Sequence, residues 1–146
     1  MKYEPWNDPG HFRIVDVIVG VHEPPPWAEV PAWMDQLCMH LAQNTTRGSL
    51  YLAAYTMWFL CWVHPFCEGN GRIARAAAYL VLSSNEGVVL PGTLTIHQQI
   101  QDDEKTLFEY LDGIHEADRA WKHEERIELR GLIAMIERLL LRQLQS

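Results

Sequence analysis

Residues 49–75 read SLYLAAYTMWFLCWVHPFCEGNGRIAR, and the change of character at position 64 decides the fold. From Ser49 to about Val63 the chain is apolar on nearly every side, through Leu50, Leu52, Ala53, Ala54, Met57, Trp58, Phe59, Leu60 and Trp62. That pattern belongs to a helix at the centre of a bundle. Pro65 ends it, because the residue before a proline is pushed out of the right-handed helical region. His64 is therefore expected at the break, on an extended backbone. A second helix is expected from near Gly71 to about Ser83, with Ala74, Ala76, Ala77 and Ala78 small enough for close helix contact.

The residues between the two helices carry chemistry. Gly69-Asn70-Gly71 precedes a helix start, where free backbone N–H groups and the helix dipole favour an anion. Glycines let the backbone approach a ligand and adopt positive φ. Arg72 and Arg75, at i and i+3, share a helix face and can fork onto phosphate oxygens. Glu68 offers a hard oxygen of the kind that magnesium takes alongside substrate phosphates. His64, with an unperturbed pKa of roughly 6.5, suits a general base acting on a hydroxyl near neutral pH. Phe66, between polar positions, is expected to point inward and pin the loop. Singly, these are a helix-end histidine, a solvated glutamate, a glycine turn and an exposed arginine pair. Their order at one loop-to-helix junction argues instead for a site that holds a metal-bound polyphosphate and deprotonates a hydroxyl beside it.

Outward from this centre the signals are simpler. Phe12–Val19 (FRIVDVIV) is the one clear β pattern,. Gly20 interrupts it, and Pro24-Pro25-Pro26 cannot continue a ladder, so a short hairpin or extended arm with its tip near Gly20–Glu23 is expected. Met34, Leu37, Cys38 and Leu41 lie on one face of a helix starting at Pro31, and Asn44–Gly48 is a polar break. Asn85–Pro91 reads as a loop. A helix over about Asp102–Trp121 carries Leu107, Tyr110, Leu111 and Ile114 on one face. The last, about His123–Gln143, has Leu129, Leu132, Ile133, Ile136, Leu139 and Leu140 at helical spacing. Met1–His11 is an irregular lead-in. The expected architecture is all-α, a single domain over residues 1–146 with one small β element.

Composition bounds the function. With 146 residues, 48% hydrophobic content and six tryptophans, the chain can bury a sizeable core. A net charge of −7 and scattered basic residues argue against nucleic acid as a partner. Leu50–Val63 is too short to span a bilayer, so no membrane partner is expected, and no signal peptide is visible. The three cysteines are odd in number and form no CxxC pair. Cys38 and Cys61, in helical apolar patterns, are expected as buried thiols. A reducing cytoplasm fits best.

His64 to Arg75 resembles the motif HxFx(D/E)GNGRxxR of the Fic (filamentation induced by cAMP) family, matching it at every fixed position. The related Doc toxins, which carry a lysine in the glycine loop and phosphorylate their target, fit less well. Weaker similarity upstream, in Phe12-Arg13, the Val17–Val19 arm, the proline segment and Met34, extends the shared core to about residues 10–115. The resemblance implies a Fic-type helical bundle with a β-hairpin flap, and Mg²⁺-dependent transfer of AMP from ATP to a Tyr, Thr or Ser hydroxyl of a target protein, with pyrophosphate released. It makes His64 the base and Glu68 the Mg²⁺ ligand. Gly69, Asn70 and Gly71 would form the anion hole, with Arg72 and Arg75 on the phosphates. Val19, Gly20, Val21, His22 and Glu23 would form the flap that pairs with the target by strand addition. Phe108 and Tyr110 fall where the family places aromatic contacts to the nucleoside.

One family feature is missing. No glutamate here has Ser or Thr four residues before it, so the inhibitory pattern (S/T)xxxE(G/N) does not occur; Glu86-Gly87 follows Leu82. A separate antitoxin, a helix outside this chain, or no such restraint would each account for that. Transfer of another phosphate-linked group, such as UMP or phosphocholine, and a nucleotide-sensing module with little turnover remain the alternatives.

Overall fold

The structure, a computed structural model, describes residues 8–146; the first seven residues of the expected lead-in lie outside the described residues. Among the described residues there are six α-helices: α1 (Val30–Gln43), α2 (Ser49–Val63), α3 (Asn70–Glu86), α4 (Ile96–Asp102), α5 (Glu104–Glu124) and α6 (Arg130–Leu144). Helix α2 is the axis, packing against α1, α3, α5 and α6. Eleven of its 15 residues are buried, and side chains the size of Trp58 or Phe59 stabilise the fold by roughly 1.5–3 kcal/mol each when removed from water. On α3 the buried stripe is Ala74, Ala78 and Leu82. The i, i+4 spacing turns these three inward, and Ala76 faces solvent.

Several boundaries differ from the sequence reading. The loop after α3 is followed by α4, a short helix the periodicity does not reveal; the Thr95 hydroxyl caps it by accepting from Gln98 N–H at 3.2 Å. Asp103 separates α4 from α5 in extended conformation and accepts from Thr106 N–H at 3.0 Å. The buried face of α5 is Thr106, Tyr110, Gly113, Ile114, Ala117 and Ala120, while Leu107 and Leu111 are exposed. Gly113 sets this choice: a Cβ there would lie 2.7 Å from Leu132 Cδ2, so α5 and α6 cross at a point without a side chain. Helix α6 starts at Arg130, not near His123. Glu125, at φ 49°, closes α5, and the buried Glu128 carboxylate accepts from Arg130 N–H at 3.1 Å to start α6. Cys38 is exposed, against expectation, because α2 is the main neighbour of α1 and only Val30 and Leu37 are buried on that helix.

The β element is also corrected. No strand forms over residues 12–26; one antiparallel bridge joins Val19 and His22, with reciprocal backbone bonds of 2.9 Å. Gly20, at φ 60°, takes the first corner of that turn,. The two arms are joined lower down by a side chain instead of a ladder. Arg13 donates to Val15 O at 2.9 Å and to Pro25 O at 2.5 Å. Among the described residues, no helix is long and apolar enough to cross a membrane.

Candidate functional site

The end of α2 is closed by the arm before α1. A helix C-terminus leaves carbonyls unpaired and carries the negative end of the dipole. Here four consecutive carbonyls each find a donor. His22 Nε2–H donates to Trp62 O at 2.8 Å. Arg13 donates from Nη2 to Val63 O at 3.2 Å, from Nε to His64 O at 2.8 Å and from its backbone N–H to Pro65 O at 2.8 Å. The Arg13 side chain is fully buried; burial lowers its pKa, with Asp16 opposing, and a guanidinium stays charged regardless.

His64 departs from the extended backbone expected of it. It lies in the left-handed region at φ 51° and ψ 59°, with its N–H bonded to Leu60 O at 3.0 Å. Pro65 excludes the right-handed helix, and the left-handed residue turns the chain sharply back toward α3, at roughly 1–2 kcal/mol for a side chain with a Cβ. The imidazole is half-buried. Desolvation lowers its pKa below the ordinary 6.5; contact with the Cys61 backbone opposes this, and Arg13 and His22 add to it. The ring is thus neutral at neutral pH and able to accept a proton.

The loop to α3 is braced by Asn70. Its amide closes a ring with the backbone of Phe66, accepting from Phe66 N–H at 2.9 Å and donating to Phe66 O at 2.8 Å. Phe66 is half-buried and rests on Phe12, with ring centroids 5.7 Å apart. Gly69 precedes the helix at φ 76° and brings no capping side chain. Ile73 N–H bonds back to Gly69 O at 3.0 Å, which leaves the first-turn amides before it without a helical acceptor.

Both arginines fold back over this turn. A Cβ at Gly69 would sit 3.2 Å from Arg72 Nη2, and one at Gly71 would sit 3.3 Å from Arg75 Nη1. Arg75 also donates from Nε to His97 Nδ1 at 3.2 Å and stands 5.6 Å from the centroid of the Tyr110 ring. Among the described residues, the junction therefore presents first-turn amides without a hydrogen-bond acceptor and two cations, beside the His64 imidazole. Neither arginine is in an ion pair among the described residues. Glu86, at the far end of α3, accepts from the Ser49 hydroxyl. Glu68 is exposed and is likewise in none of those ion pairs. No group of three or more His, Cys, Asp or Glu forms a metal cage among the described residues. One open carboxylate fits Mg²⁺, which takes most of its other ligands from phosphates and water.

The structure brings His64, Glu68, Gly69, Asn70, Gly71, Arg72 and Arg75 to one junction. The arm tip lies to one side of it. Val19, Gly20, Val21 and Glu23 are exposed and His22 is half-buried; together with Trp62 and the last turns of α5 they line an open groove of about 970 Å³. Phe108 and Tyr110 are not brought together: Phe108 is 60% exposed, while Tyr110 is 3% exposed with its hydroxyl 3.2 Å from Cys61 Sγ. Two residues to which the sequence assigned no role enter the site. His97 touches Arg75 only because α4 folds back, and no local pattern marks it. Arg13 stood in a β-like run, where a lone arginine gives no sign of burial.

A family model described as the Fic/DOC family matches residues 2–82, more than half of the chain and inclusive of the whole junction. Among solved structures, the chain is similar to a Fic domain-containing signaling protein from Bacteroides thetaiotaomicron, at 20% sequence identity and a TM-score of 0.69. That match covers 97% of this chain and 55% of the other, so the chain spans about half the length of that protein and the likeness speaks to the fold. With the motif, the helical architecture and the family match in agreement, the chain belongs to the Fic/DOC family.

Proposed function

We propose that the protein transfers AMP from ATP to a hydroxyl side chain (Tyr, Thr or Ser) of a target protein. The observation that carries this reading is the half-buried His64 set against a glycine turn over which Arg72 and Arg75 both fold. The target oxygen attacks the α-phosphorus, the bond from that phosphorus to the bridging oxygen breaks, and pyrophosphate leaves. His64 takes the hydroxyl proton. Arg72, Arg75 and the first-turn amides of α3 hold the phosphate oxygens, so that most of the catalysis is positioning and charge neutralisation. Glu68 would hold Mg²⁺, which supplies further charge neutralisation to the phosphates. The exposed arm tip would receive an extended segment of the target. Arg72 and Arg75, in no ion pair among the described residues, fit restraint by a carboxylate from an antitoxin or an inhibitory helix outside this chain.

The test is incubation with α-³²P-labelled ATP, Mg²⁺ and a cell lysate. Label in a protein band that disappears with His64→Ala supports transfer. Nucleotide binding without label in any lysate would overturn it in favour of a sensing module. Label from α-³²P-UTP with none from α-³²P-ATP would move the reading to a different transferred group.

A further inference from the structure

We infer that Arg13 is a positioning residue, whose buried guanidinium locks His64 and the arm into one unit so that the base is held where an arm-bound target presents its hydroxyl. This rests on the proposed role of His64 as base. The side chain makes four hydrogen bonds, all to backbone carbonyls: Val63 and His64 on the α2 side, Val15 and Pro25 on the arm side. The α2-side partners lie 50 and 51 residues from Arg13 in sequence, the arm-side partners 2 and 12. The residue so gripped is His64, which with Glu125 is one of two non-glycine residues at positive φ among the described residues. A strained conformation of that kind persists only where its surroundings over-determine it. The arm's other hydrogen bonds across this joint are single ones, from His22 to Trp62 O, from Arg13 N–H to Pro65 O and from Trp27 N–H to Asp16 Oδ1; the Val19–His22 bridge is isolated, Pro24, Pro25 and Pro26 have no N–H to offer, and Ile14, Ile18 and Val21 are exposed.

A core arginine serving only as packing would also be destabilising to remove, so the test must read His64 itself. Charged and titratable groups around the imidazole are Arg13 and His22, both from the arm. In ¹⁵N-histidine-labelled protein without nucleotide, the His64 imidazole signals are assigned by their loss in His64→Asn and followed with pH in the wild type, Arg13→Lys and Arg13→Leu. Melting temperature and Mg·ATP binding by calorimetry are measured on the same samples. The expected result for Arg13→Leu is a His64 signal that is split or broadened and a midpoint moved up toward 6.5, with ATP affinity within about twofold of wild type, because the phosphate-binding residues do not touch Arg13. Arg13→Lys, which keeps the charge but not the fork, should retain the midpoint and still broaden the signal. Where transfer is measurable, kcat should fall by on the order of 10²-fold with KM for ATP unchanged.

A His64 signal in folded Arg13→Leu with wild-type shape and midpoint would overturn the inference, whatever the change in melting temperature. If Arg13→Leu fails to fold, Arg13→Lys carries the decision: an unaltered line shape there refutes the positioning role. Because the imidazole readout needs neither ATP nor a target, it stands or falls separately from AMP transfer itself.

Discussion

The two helix ends that meet at residues 64–70 are treated in opposite ways. At the end of α2, the negative pole, consecutive carbonyls from Trp62 to Pro65 are all taken by Arg13 and His22. At the start of α3, the positive pole, Gly69 offers no cap and the cations fold over the turn without a carboxylate partner among the described residues. The start of α6 makes the contrast sharper, because there Glu128 accepts from Arg130 N–H, and Arg130 and Arg126 hold its carboxyl down to about 2. A closed helix end stabilises and orients, here the backbone of His64. An open one, lined with cations, favours a negative charge.

The contrast can be broken at its closed side first. His64→Ala should reduce transfer by roughly 10²–10⁴-fold while leaving Mg·ATP binding in calorimetry intact; equal loss of both would mean the two ends do not divide base from phosphate. The pH profile of kcat/KM in the wild type should rise to a plateau through a midpoint below 6.5, since burial disfavours the charged imidazole. For the same reason, this group's contribution to folding stability is full above 6.5 and falls as pH drops toward the lowered value. An acid limb above 6.5 would assign the base to another group.

The open side comes next. Gly71→Ala places a methyl 3.3 Å from Arg75 Nη1, and Mg·ATP affinity should fall about tenfold, or roughly 1.4 kcal/mol, with little change in melting temperature. Unchanged affinity would remove Arg75 from the phosphate site. Asn70→Ala opens the brace on Phe66, and loss of its paired hydrogen bonds should lower stability by about 1–3 kcal/mol in urea unfolding. A neutral result would mean the turn is held by its glycines alone. The smallest effect belongs to the comparison helix. The stability conferred by Glu128 is present above pH 4.5 and is lost as pH falls toward about 2,, so an acid-unfolding curve for Glu128→Gln should converge with that of the wild type in this window. Curves that stay parallel would place the carboxylate outside the cap.

The central helix and the gathering of the motif residues at one junction were legible because both are local. An all-round apolar run ended by Pro65 states its own burial, and the motif from His64 to Arg75 keeps its reactive groups within three helical turns. The rest was not local. α4 is too short to show a period, the buried stripe of α5 depends on Gly113 meeting Leu132, and the hairpin expected over Phe12–Val19 gave way because Arg13 donates to the carbonyls that a ladder would have used.

By itself, then, the sequence determined that a buried helix breaks at His64 and that a glycine turn with two arginines follows it. Tertiary structure alone decided that His64 is left-handed, that Arg13 grips it from 51 residues away, and that His97 and Tyr110 stand beside Arg75. The physical reason is that hydrogen bonds to carbonyls at a helix end carry no sequence pattern. Any donor the fold delivers will satisfy them, and only the packed chain shows which one arrives.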